Sequence, residues 1–270
     1  MNSRSLFTFS FLLLFISACS NNRSISTSNV VREPRTDFMY QYSIIDALLA
    51  GVFDGDLTFG ELKKQGNFGI GTFNRLDGEM LMLDGIVYRI SHDGTIAEVA
   101  DEEKTPLAFV NFFKADTTFT IIQKDITFAQ IEELLDKTFN RNYLYAVQLK
   151  GNFKTMSARS VRPASPPYPQ LADHIKQGGQ QLFSFNNVRG VCAGYSLPPY
   201  MARTNVPGYH VHFLSENKSQ GGHVFEFTAD TLEVQVDYIH GFTVETNTHQ
   251  EFRDIDLYLD RAKELHSVEK

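Results

Sequence analysis

The chain has 270 residues, of which 42% are hydrophobic and 21% charged, and its formal net charge at pH 7 is −7. No basic run is present, which argues against nucleic acid, since that partner needs a clustered basic footprint. Only two cysteines occur, Cys19 and Cys192, too few for a disulfide framework or a Cys-rich structural zinc site.

Residues 1–19 read as a secretory signal, with Arg4 in the n-region and an apolar stretch over 6–16 that is too short for a spanning helix. Ile16-Ser17-Ala18-Cys19 resembles a bacterial lipobox, so Cys19 is expected to carry lipid and to hold an exported protein on a membrane. Residues 20–34 are rich in Ser, Asn and Thr and lack aromatics; they read as a flexible tether. With Cys19 so used, Cys192 stands alone in the apolar Val191-Cys192-Ala193 and reads as a buried, inert thiol.

The body begins with helical spacing over 42–51, stopped at Gly51. Thr58 and Glu61 form a capping box for a short helix. Residues 66–71 are glycine-studded, but no Gly-Lys-Ser/Thr follows, so a phosphate loop is discarded. Residues 80–83 and 86–90 flank Asp84-Gly85, the favoured two-residue turn, and read as a hairpin. Asp93-Gly94 continues it as a meander to Val99. A strand is expected over 119–123. Thr127 and Gln130 cap a helix over 127–140 whose Phe128, Ile131, Leu134, Leu135 and Phe139 share a face. Residues 143–149 alternate as a strand. Four prolines within 162–169 mark a connection between two halves. Strands follow over 181–185, 188–197, 209–214, 223–227 and 232–238, and a closing helix from 257. The fold class is α+β, with mixed or antiparallel sheets and few helices. The expected domains are 35–162 and 163–270.

The chemistry-bearing pattern is His210-Val211-His212, a turn near 216–219, and His223. Alternate strand residues share a face, so His210 and His212 point the same way, and antiparallel return of the chain brings His223 beside His212. Three imidazoles leave open positions on a metal, the arrangement of a catalytic rather than a structural site. Zinc suits them best, with other first-row divalent ions possible. His92, His174, His240, His249 and His266 lack such spacing and read as structural or solvated.

Asn205-Val-Pro-Gly-Tyr-His-Val-His-Phe213 with Gly221-Gly-His223 resembles the metal site of the α-acetolactate decarboxylases. The likeness continues in order through Tyr40-Gln-Tyr-Ser43, Gly55-Asp-Leu-Thr58, Gly69-Ile-Gly-Thr72, Leu76-Asp-Gly-Glu79, Tyr145-Ala-Val147, Ala158-Arg159 and Pro167-Tyr-Pro-Gln-Leu171. It covers about 38–270. The resemblance implies two sheet-containing domains with the metal site between them, and His210, His212 and His223 as metal ligands. It also implies Glu79 and Arg159 as active-site groups, Thr72 lining the site, and a tail carboxylate matched by Glu269, with Glu264 as the alternative. Taken alone, Glu79 is an exposed turn residue, Arg159 a solvated strand charge and Glu269 a frayed terminus.

Such a site would convert 2-acetolactate to acetoin. A metal on the ketone oxygen can accept, as an enediolate, the electrons left behind by CO2. Arg159 would match a carboxylate bidentately, and Glu79 or Glu269 would deliver a proton. The expected partners are a small 2-hydroxy-3-keto acid, a membrane through the lipid alone, and a second copy in a homodimer. One competing arrangement is cupin-like, an oxygenase or isomerase in which Glu216, four residues after His212, joins the ligands. The other is a non-catalytic metal-binding surface lipoprotein, which would not need Glu79 and Arg159 near the histidines.

Overall fold

Asp84 and Gly85 do form the tight turn, with φ of 51° and 79°, the positive values that a two-residue hairpin turn requires. They join two neighbouring strands of the first sheet. The computed structural model describes residues 37–269, which lie within one compact unit. The signal segment, Cys19 and the tether lie outside the described residues.

In chain order the strands are β1 (Phe38–Tyr42), β2 (Leu57–Thr58), β3 (Phe68–Thr72), β4 (Glu79–Leu83), β5 (Ile86–Ile90), β6 (Ile96–Glu98) and β7 (Lys104–Thr105). They continue with β8 (Ala108–Asn111), β9 (Thr117–Thr127), β10 (Leu144–Val161), β11 (Gln180–Leu197), β12 (Gly208–Ser215), β13 (Gly221–Ile239) and β14 (Gly241–Glu245). The helices are α1 (Ile45–Leu49), α2 (Phe59–Leu62), α3 (Phe128–Thr138), α4 (Leu171–Lys176), α5 (Gln250–Asp254) and α6 (Ala262–Glu269). The body is therefore sheet-rich with few and short helices, as expected.

Seven strands form one sheet in the order β14-β1-β8-β3-β4-β5-β6. Its β1–β14 pair is parallel and the others are antiparallel. The second sheet runs β10-β11-β12-β13-β9, and β10 also pairs with β13. Both β10 and β12 thus pair with β11 and with β13, so these four strands close into a ring. Sheet membership changes between β8 and β9 and again between β13 and β14, and the strands on either side of the 162/163 boundary lie in one sheet. The physical reason is a long-range register: β10, before the prolines, pairs along its whole length with β11, after them.

Burial follows strand parity. Tyr145, Val147, Leu149, Phe153, Cys192, Val211, Phe213 and Val234 turn inward with α3 to make the largest core. The opposite face of the same strands, through Ala146, Ala193, Tyr195 and Leu214, packs on Phe68, Ile70, Leu81, Tyr88 and Phe109 of the seven-stranded sheet. A smaller cluster joins Ile45, Leu48 and Leu49 of α1 to Leu171 of α4 and Val268 of α6. Capping boxes at Thr58/Glu61 and Thr127/Gln130 start α2 and α3 where the sequence places them, each cap worth about 1 kcal/mol.

Three expectations change. The helical spacing over 42–51 yields only α1, because Tyr42 belongs to β1 and Ser43, at φ 64°, breaks the chain direction. The glycine-studded 66–71 is mostly β3. The strand pairs expected over 181–197 and 223–238 are single long strands, β11 and β13.

Candidate active site

The histidines occupy the β12–β13 hairpin in the expected register, with His212 directly opposite His223. His210 and His212 face the seven-stranded sheet, while Val211 and Phe213 enter the ring's core. Gly222 makes this possible. Its φ is +149°, and a Cβ there would lie 2.5 Å from the Arg159 carbonyl oxygen, so only glycine lets β13 pair closely with β12 and β10 at once.

One ring nitrogen from each of His210, His212 and His223 falls within a 4.8 Å cluster. His210 Nε2 and His223 Nδ1 are 3.1 Å apart. His212 Nδ1 lies 2.8 Å from the Met80 carbonyl oxygen. A carbonyl can only accept, so Nδ1 carries the proton and Nε2 presents its lone pair. That Nε2 is buried with no hydrogen-bond partner. Burial, then the charge of Arg159, pulls His210 down to about 3. Burial does the same to His212 and His223, taking both well below the usual imidazole range. Neutral, inward-aimed imidazoles are the ligand form, and the three residues fit a metal ion.

Two carboxyls and a guanidinium complete the pocket, Arg159 from the histidines' own sheet, Glu79 from the seven-stranded sheet and Glu269 from α6. Glu79 opens β4 in the same phase as Leu81, and it is 6% exposed rather than a turn residue in solvent. Its partner across β3 is Thr72, whose Oγ1 donates to the Gly78 carbonyl at 2.8 Å. Arg159 is His223's neighbour across the β10–β13 pair and is 4% exposed. Glu269 comes from the end of α6. Glu79 Oε2 is 3.6 Å from His212 Nε2. Glu269 Oε2 is 3.7 Å from Nε2 of both His210 and His223. Arg159 bridges the carboxyls, Nε 3.9 Å from Glu79 Oε1 and Nη2 3.4 Å from Glu269 Oε1. Burial raises Glu79 to about 7; Arg159 opposes the rise and Glu269 reinforces it. Burial also raises Glu269, against the pull of Arg159.

All seven residues named from the sequence line one pocket: Thr72, Glu79, Arg159, His210, His212, His223 and Glu269. It holds about 460 Å³ free of protein atoms, part of it open to solvent. Glu264 is elsewhere, paired with Arg261 at 2.9 Å. Glu216 is exposed and paired with Arg189 at 3.3 Å, so the cupin-like arrangement lacks its carboxylate. Cys192 is fully buried and its thiol is pushed up by burial, an inert group. Sequence reading missed the pocket's apolar half, from Ile45, Leu48, Leu76, Leu107, Phe109 and Leu171. It also missed Gln180, whose Oε1 accepts from Arg159 Nη1 at 3.2 Å. Apolar spacing signals a core residue and a cavity wall alike, and a strand-end glutamine carries no signal.

The family model for alpha-acetolactate decarboxylase matches residues 39–259. The chain belongs to the alpha-acetolactate decarboxylase family. It is 42% identical over 236 residues to the alpha-acetolactate decarboxylase of Methanosarcina mazei, covering 87% of this chain and 81% of the relative. It is 39% identical to that of Brevibacillus brevis, covering 86% and 80%. The crystal structure of alpha-acetolactate decarboxylase from Bacillus subtilis strain 168 superposes with a TM-score of 0.83 at 34% identity, over 86% of this chain and 99% of that one. Glu269 lies beyond the segment matched by the family model, so its place beside the histidines rests on the geometry of α6.

Proposed function

We propose that this chain decarboxylates 2-acetolactate to acetoin, with His210, His212 and His223 holding a divalent ion, zinc by preference. The observation that carries the reading is the convergence of three imidazoles, one guanidinium and two buried carboxyls in one pocket. Three imidazoles with no thiolate suit zinc in a site that keeps open positions.

When held by His210, His212 and His223, the ion would supply Lewis acidity that stabilises the negative charge left on the substrate, worth several kcal/mol. The chain's own groups do the rest. Arg159 offers a planar fork that matches a carboxylate, and it orients the bond to be broken. That carbon–carbon bond breaks, CO2 leaves, and its electron pair stays on the four-carbon fragment. Glu79, raised to about 7, keeps its proton in a substantial fraction of molecules at neutral pH and can deliver it to the carbon that lost CO2. Glu269, raised in the same direction, is the second candidate donor. Delivery from one fixed wall gives one hand of acetoin. The apolar half of the pocket receives the methyl groups and excludes water.

The test is acetoin formation from racemic acetolactate by the purified protein, before chelation, after it, and after zinc is restored. Chelator-sensitive acetoin supports the reading; none from a folded, metal-loaded protein ends it. We also propose that Cys19 anchors the protein on the outer side of a cytoplasmic membrane or in an outer membrane, a reading supported by Arg4, the apolar run to Ile16 and the small residues before Cys19. No helix among the described residues is long and apolar enough to cross a membrane. Release of a Cys19→Ser protein from the membrane fraction supports the anchor; unchanged retention ends it.

A further inference from the structure

Arg159 is the one lysine or arginine among the residues lining the pocket, and three side-chain oxygens surround its guanidinium. Two belong to Glu79 and Glu269, at 3.9 and 3.4 Å. The third and nearest is the amide oxygen of Gln180, which accepts from Nη1 at 3.2 Å. Gln180 is the first residue of β11 and pairs with Val161. Val161 and Arg159 share a face of β10, so Gln180 is the diagonal neighbour of Arg159, within reach of two long side chains.

The chemical identity of this third partner matters. An amide oxygen fixes the direction of Nη1 without removing any of the guanidinium's charge. A carboxylate in its place would hold the guanidinium as well but would compete with an incoming anion. We propose that Gln180 is a positioning residue: it aims Arg159 at the substrate carboxylate while leaving its charge free to bind it. The inference rests on the decarboxylase reading and adds a residue to it.

The test is steady-state acetoin formation by the zinc-loaded wild type, Gln180→Leu and Gln180→Glu, with bound zinc and melting temperature measured on each. Gln180→Leu frees Nη1, and kcat/KM should fall about tenfold, the worth of one hydrogen bond to a charged group. Gln180→Glu keeps the acceptor and adds a charge, so KM should rise about tenfold with kcat within about twofold of wild type. Zinc content and melting temperature should stay near wild type in both. A merely structural role would lower melting temperature and zinc together and leave KM of the surviving enzyme unchanged; that result overturns the proposal. Both variants within about twofold of an active wild type also overturn it, and it alone. A wild type that forms no acetoin overturns this proposal and the decarboxylase reading together. If Gln180→Leu does not fold, the near-isosteric Gln180→Glu decides by its KM.

Discussion

The two walls of the pocket are built on different principles. The histidine wall is local: His210, His212 and His223 lie on one hairpin, and the strand period alone aims them together. The second wall is assembled from three elements: Arg159 on β10 stands on the same sheet face as His223, while Glu79 reaches in from β4 of the other sheet and Glu269 from α6. A rigid hairpin suits a fixed coordination geometry. An assembled wall suits groups whose proton affinities must be tuned by one another and by burial. The contrast predicts separable failures: changes in the hairpin should lose the ion, and changes in the wall should keep the ion but lose turnover.

The sharpest break is His212→Ala. His212 is 1% exposed, and its Nε2 has no hydrogen-bond partner among the described residues. Bound zinc should fall below stoichiometry and acetoin formation to background, measured on the same dialysed sample. Full zinc with retained turnover would dissolve the distinction between the walls.

Arg159→Met comes next. It leaves two buried carboxyls without their shared cation, and stripping one partner from a buried charge cluster costs about 3–5 kcal/mol. Turnover should vanish while zinc stays near one per chain, with a lowered denaturant midpoint. Both carboxyls can relieve part of the penalty by taking up protons, so the loss should be smaller at pH 5 than at pH 8. Zinc lost in step with turnover would count against the separation.

Glu79→Gln should separate stability from activity. In the folded chain Glu79 is raised from 4.5 to about 7, so the folded state keeps a proton that the unfolded chain has released. Its contribution to stability is therefore greatest below about pH 4.5 and is lost as pH rises through about 7. His210, lowered to about 3, acts in the opposite sense: stability is lost as pH falls from the ordinary imidazole range towards 3. Replacing Glu79 removes only the first effect. Metal-free Glu79→Gln should match wild type near pH 4 and exceed it by about 3 kcal/mol at pH 8, while the zinc form turns over more slowly. Equal midpoints of wild type and variant at pH 8 would show that burial does not dominate this carboxyl.

The same contrast explains what the sequence could reveal. Period-two spacing and a short turn are local, so the histidine hairpin was readable, as were the Asp84-Gly85 turn and the Thr127/Gln130 cap. Glu79 was misread on physics alone because Asp77-Gly78 precedes it. Its alignment with Leu81 on β4 was the available hint, but Met80 and Met82 are apolar too, and an all-apolar strand hides its phase. Arg159 and Gln180 depend on the register of β10 with β11 and β13, which no local pattern encodes. The same register carries the β10–β11 pairing across residues 162 and 163. Asn186-Asn187 looks like a turn, with Asn187 at φ 50°, yet β11 runs straight through it because β10 supplies partners along both halves.

The smallest effect is the most discriminating for how the assembled wall is held. Thr72 sits across from Glu79, and its hydroxyl donates to the Gly78 carbonyl at 2.8 Å. Thr72→Val keeps the shape and the β-branch but leaves that buried carbonyl without this donor, at a cost of about 1 kcal/mol. Gly78 has φ +103°, so the bond braces a left-handed turn just before the Glu79 carboxyl. The variant should bind zinc as wild type does and show nearly unchanged KM, with kcat down a few-fold because Glu79 is held less firmly. An unchanged kcat beside the stability loss would mean that strand pairing alone fixes Glu79. A matching loss of zinc would mean that the two walls are coupled through β3 and β4, where Met80 already lends its carbonyl to His212.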